Sequence, residues 1–125
     1  MSSDVMDLDA AMEAVEETYE FMLAYAAQGR RTEEDKSSAG IRAYLQRAEG
    51  ALAVIAAAQL PGDAAQQFLD VVRTDAQKAG AAMRLVLAQS NISSQLVDNL
   101  NASIHLRALL TDLFLLDEAL KISGS

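Results

Sequence analysis

The sequence predicts an all-α protein, an antiparallel up-down-up-down four-helix bundle. Apolar residues recur at steps of three and four through four long stretches, the period of a helix with one buried face. The breaks between these stretches are short and hold Gly, Pro, Ser and Asn, residues that cap helices or cannot continue them. Hydrophobic residues make up 51% of the chain, much of it Ala, with no Trp and 5% aromatics. Close-packed helices suit that composition, because Ala has the best helix propensity and lets backbones approach. A β-sandwich would draw instead on Val, Ile, Thr and aromatics in short alternating runs. The expectation is one domain over residues 1–125, with helices near 4–28, 33–59, 64–89 and 94–122. Helices of about 25 residues reach about 38 Å, and short connections between them force antiparallel neighbours.

The first stretch carries Val5, Leu8, Met12, Val15, Tyr19 and Met22, followed by Ala26, a heptad-like stripe. Gly29 suits the C-terminal end, with Arg30 and Arg31 beside the negative pole of the helix dipole. Thr32 reads as the next N-cap, with Glu33, Glu34 and Asp35 in the first turn. The second stretch places Ile41, Leu45, Ala48, Leu52 and Ile55 on one face. Gly40 and Gly50 weaken it, each by about 1 kcal/mol relative to Ala. Its uncharged end, Ala51 to Leu60, reads as covered. Pro61-Gly62-Asp63 stops the helix and restarts the chain, with Asp63 as cap and Gln66 completing a capping box.

The third stretch sets Leu69, Val72, Ala76, Ala79, Met83 and Val86 on one face. Asp70/Arg73 and Asp75/Lys78 have the spacing of helical neighbours, and Gly80 offers room for close packing. After Ser90 to Ser94 comes the most unusual stretch, which carries two apolar stripes. Val97, Leu100, Ile104, Ala108, Leu115, Ala119 and Ile122 fall on one side of a continuous helix; Leu106, Leu109, Leu110, Leu113, Leu116 and Leu120 fall on the other. A helix apolar on two sides needs a second cover. The second stripe begins only halfway along, because Gln95, Asn99 and Ala102 precede it.

The net charge of −8 is unevenly distributed. Residues 1–20 hold seven acids and no base, so the rest of the chain is nearly neutral. Nucleic-acid binding needs clustered Lys and Arg, and this field is the opposite. Cys is absent, which excludes disulfides and thiolate metal sites. No run of about eighteen uncharged apolar residues suggests a membrane span, and the acidic start lacks the basic region of a signal peptide. The expectation is a cytoplasmic protein that binds neither nucleic acid nor membrane.

Enzymatic chemistry finds little support. His105 is the only histidine. A ferritin-like di-iron site needs Glu-x-x-His from two helices, whereas Ala102 stands three before His105. No metal, cofactor or catalytic residue is expected. His105-Leu106-Arg107 is similar to part of the His-x-Leu-Arg run of histidine-kinase dimerisation helices. It departs from that run in Ile104, which stands where a polar residue precedes the histidine, and in having no acid directly after it. That similarity implies an alternative role in phosphotransfer through His105, beside the plainer reading of a boundary side chain.

Glu13, Glu16, Glu17 and Glu20 form an acidic strip. It reads either as a solvated face or as a docking strip for a basic partner, since dense like charge speeds encounter with an opposite field. The uncharged polar residues Asn91, Ser93, Ser94, Gln95, Asn99, Asn101 and Ser103 in the stretch from Ser90 to Ser103 would cap a helix or line a cavity for a small ligand. The favoured function is a non-enzymatic helical interaction module: a homodimeric adaptor, a regulator or an export-type chaperone. Flagellin-export chaperones resemble it in size and architecture but share no motif with it. The expected interaction surface joins Ala108, Leu115, Ala119 and Ile122 to the acidic strip. Its partner would have an apolar centre and a basic rim, or would be a second copy. A small-ligand binder using the bundle interior is the remaining alternative.

Overall fold

The computed structural model describes residues 7–33 and 40–122. Within them the chain forms α1 (Leu8–Ala27), α2 (Ile41–Ala57), α3 (Asp63–Leu87), α4 (Ser94–Ala102) and α5 (Ile104–Ile122), with no strand. The fold is therefore all-α, with five helices rather than four. The most extensive packing is of α1 on α2 and of α3 on α5, followed by α2 on α3 and α4 on α1. The core takes the expected faces of the first three stretches: Met12, Val15 and Met22; Ile41, Leu45, Leu52 and Ile55; Leu69, Val72 and Met83.

α1 begins later than its apolar pattern suggests because Asp7 caps it, its Oδ1 accepting from the Ala10 N–H at 2.7 Å. Val5 lies outside the described residues. At the other end Gly29 follows the C-cap with φ +65°, the left-handed conformation that glycine adopts without strain. Thr18 is buried against α2, and its hydroxyl reaches both Ala14 O at 2.8 Å and Tyr44 O at 3.2 Å.

The largest departure in the first half is the start of α2. Thr32 caps no helix; Gly40 is the N-cap, and Ile41 opens the helix. Glu33 has turned inward instead, its side chain 1% exposed. Its carboxylate accepts from Arg42 Nε at 2.9 Å, Arg42 Nη2 at 2.8 Å and the Ile92 N–H at 3.0 Å. A forked, charge-assisted contact of this kind outweighs the few tenths of a kcal/mol that an acid gains in a first helical turn. Glu34 and Asp35 lie outside the described residues.

Arg42 also donates to Leu87 O at 3.0 Å and Gln89 O at 2.6 Å, at the end of α3. The arrangement is reciprocal. Arg73 on α3 donates to Ala56 O at 2.6 Å and Ala58 O at 3.4 Å, at the end of α2. Each helix thus supplies a cation to the other's unsatisfied carbonyls. Arg73 also pairs with Asp70 at 2.5 Å, as the spacing predicts. A Cβ on Gly80 would meet Leu52 Cδ1 at 3.6 Å, so the glycine lies at the α2–α3 contact. At the start of α3, Gly62 is the N-cap and Asp63 the first helical residue. Gln66 Oε1 accepts from the Leu60 N–H at 2.9 Å rather than from the cap.

The last stretch is not one helix. Ser103 has φ −60° and ψ 129°, which ends α4. Its N–H closes α4 by donating to Leu100 O at 3.0 Å. Its Oγ accepts from the His105 N–H at 3.3 Å, and its carbonyl accepts from the Arg107 N–H at 3.1 Å, which starts α5. One serine is therefore C-cap and N-cap at once. The helical phase resets there, so the stripe from Val97 to Ile122 is not continuous. Val97 and Leu100 are buried in α4, whereas Ile104 is 74% exposed. α5 buries the other stripe, with Leu106, Leu109, Leu110, Leu113 and Leu116 in the core. At about 1.5–3 kcal/mol for each fully buried leucine, these five outweigh the loss of one continuous stripe.

Candidate functional sites

With its leucine stripe buried, α5 turns the other stripe outward. Leu115 is 58% exposed and Phe114 52%, while Ala108 is half-buried and Ala119 exposed. Leu115 and Ala119 form one wall of an open groove of about 610 Å³. Leu60, Pro61 and Phe68 supply the facing side, and no charged residue lines it. The groove exists because Phe68 sits beside the buried Leu69, off the core face of α3, where Ala64 and Ala65 leave space next to it. Asp63 and Glu118, both exposed, adjoin it in sequence. Ile122 belongs to α5, but the position of its side chain is outside the description.

The acidic strip is divided. Glu13, Glu17 and Glu20 point to solvent, while Glu16 is half-buried. The Glu16 carboxyl is pushed up from its ordinary range by burial first and then by Asp117, against the pull of Lys121. Asp117 pairs with Lys121 at 3.2 Å one turn along α5. A smaller cleft between α1 and α5 is lined by Leu8, Asp9, Met12, Asp117, Leu120 and Lys121. Leu120 lines both this cleft and the apolar groove. The structure thus joins Leu115 and Ala119 to Phe68, and it brings Glu16 to Asp117; the two surfaces meet at Leu120.

His105 is exposed in the first turn of α5. Its backbone N–H is bonded by Ser103, and no described carboxylate or carbonyl orients its ring. Among the described residues no cluster of three or more His, Asp or Glu side chains has metal-ligand geometry.

Sequence reasoning missed an acidic pair. Asp112 on α5 faces Asp75 on α3, and one Asp112 carboxylate oxygen is buried with no partner. Burial first, and then the Asp75 carboxyl through hydrogen bonding and charge, push the Asp112 carboxyl up to about 7. The spacing of Asp75 and Lys78 suggested a neutralising partner on the same helix. The facing acid arises from the reset phase of α5, which the sequence pattern does not announce.

A second unsatisfied group lies at the α4–α5 joint. Asn101 is 7% exposed, and both its Oδ1 and Nδ2 lack partners. A buried polar group left unpaired costs about 1–3 kcal/mol, so such groups are rare in folded proteins. Asn101 belongs to the polar run that the sequence marks out, but the run does not show which of its members turns inward.

Among the described residues no helix is long and apolar enough to cross a membrane. No family model, no curated protein and no solved structure matches the chain.

Proposed function

We propose that this protein is a cytoplasmic, non-enzymatic helical interaction module that receives an apolar helical face of a partner in the α3–α5 groove. The groove carries the reading: it is open, uncharged and walled by exposed Leu115 beside Phe68. An amphipathic helix laid in a groove is a recurring mode of recognition. The net charge of −8 opposes docking of a second copy and favours a partner whose apolar centre has a basic edge. Asp63 and Glu118 stand where such an edge would reach. The four-position, up-down bundle belongs to the same proposal, with α4 and α5 sharing the fourth position.

The test uses two synthetic amphipathic helical peptides with the same apolar face, one edged with Lys and one with Glu. The Lys-edged peptide is expected to bind and the Glu-edged peptide to bind at least about tenfold more weakly, read by fluorescence anisotropy. Leu115→Lys should abolish binding while circular dichroism keeps its helical signal. Equal affinity for both peptides, or binding that survives Leu115→Lys, would overturn the reading. A wild-type dimer that Leu115→Lys dissociates would give the groove to a second copy instead.

A further inference from the structure

The α3–α5 interface carries two features at successive levels. At one level lies the apolar groove, with Phe68 on α3 and Leu115, Leu116 and Ala119 on α5. At the next, Asp75 of α3 faces Asp112 of α5. About two turns, or about 10 Å, separate Phe68 from Asp75 along α3, and the same interval separates Ala119 from Asp112 back along α5. The two helices therefore pass in opposite directions, and the acid pair spans the gap that widens into the groove. A change of spacing at the pair is carried along two rigid helices to the groove walls.

Both aspartates are half-buried, and Asp112 Oδ2 is buried with no hydrogen-bond partner. Two ionised carboxylates can only accept, whereas one proton between them makes a donor and satisfies that oxygen. No neighbouring cation takes the proton's place. One turn to either side of Asp112 stand Ala108, Leu109, Leu115 and Leu116, all uncharged. Lys78, one turn from Asp75 on α3, is exposed. Among the described residues of α1, α3 and α4, Asp75 alone acts on Asp112 through its charge.

We propose that Asp75 and Asp112 form a proton-operated latch that keeps the α3–α5 groove in its binding shape; the proposal rests on the reading of that groove as a docking site. With one proton shared, the carboxyls draw the two helices together. Loss of that proton sets two negative charges against each other in a half-buried interface, and the helices part. A partner that fits the groove binds the one-proton form better, so its affinity falls as pH rises through about 7. Linkage runs both ways, and the bound partner makes the pair hold its proton more tightly.

The Lys-edged peptide is titrated into the full chain at about pH 6 and about pH 8, on either side of the pair's midpoint. Its affinity is expected to fall about tenfold across that range. In Asp112→Asn the amide donates to Asp75 at every pH, so the affinity should stay at its acidic value. The chain has no Cys, so Gln67→Cys and Glu118→Cys supply two exposed label sites, one on each helix beside the groove. Spin-label distances measured without peptide should lengthen from the acidic to the basic condition, and should not change once Asp112→Asn is added. Circular dichroism verifies that each variant is folded. An unchanged distance, or one that lengthens equally with Asp112→Asn, would overturn the latch even where the peptide binds. Equal affinity at both pH values would overturn it too. A distance that lengthens while the peptide binds at neither pH fails the groove reading instead, and with it the control of binding.

Discussion

Single residues decide what the polar groups inside this helical protein do. Glu33 is held by Arg42 and the Ile92 N–H, and removing one partner of such a contact leaves a buried charge exposed to nothing. Arg42→Ala is expected to destabilise the protein by about 3–5 kcal/mol, measured by urea denaturation. Asp112 behaves in the opposite sense. Its carboxyl is lifted to about 7 by burial and by Asp75, so the fold favours its protonated form. The corresponding stability is complete below the ordinary carboxylate range and is lost as pH rises through about 7. Asp112→Asn should therefore flatten the decline of Tm between mildly acidic and mildly basic pH, and should be the more stable protein at the basic end. A difference in Tm between the two proteins that shifts in favour of the wild type as pH rises would contradict the sign.

Among elements, the first three helices were legible because each has one apolar face and one strong terminus: Gly29, the Pro61-Gly62 stop, and the Ser90 to Ser94 break. Their starts were less legible. Thr32 followed by Glu33, Glu34 and Asp35 has the form of a helix start, but the local signal says nothing of Arg42 or Ile92, which reach Glu33 from elsewhere in the fold. The last helix misled more deeply. Two stripes on a continuous wheel predict a two-sided helix, whereas Ser103 lets the chain bury Val97 and Leu100 on one phase and Leu106 to Leu116 on another. Of the interaction surface read from sequence, Leu115 and Ala119 share the groove, while Phe68, its other wall, has no periodic signature. Ser103→Ala removes the side-chain cap of α5 and is expected to cost about 1 kcal/mol. Faster amide exchange confined to the first turn of α5 is the measurement that locates that loss.

At the scale of the whole molecule, the two arginine clamps tie α2 and α3 at opposite ends. The length of α2, 17 residues, separates them by about 25 Å at 1.5 Å per residue. Groups that far apart share no partner, so the destabilisations of Arg42→Ala and Arg73→Ala should add to within about 0.5 kcal/mol in the double variant. A larger departure in urea denaturation would mean that the helix pair transmits strain between its ends. The acidic excess adds a further constraint, since a net charge of −8 disfavours close approach of two copies of the chain. The serine joint carries a different consequence. The C-terminal segment holds two complete burial patterns, one for an unbroken rod and one for the bent form, and the backbone dihedral ψ of a single residue selects between them. Restoring a helical ψ at Ser103 would bring Ile104, Ala108 and Leu115 into phase with Val97 and Leu100 and turn the buried Leu106 to Leu116 face away from them.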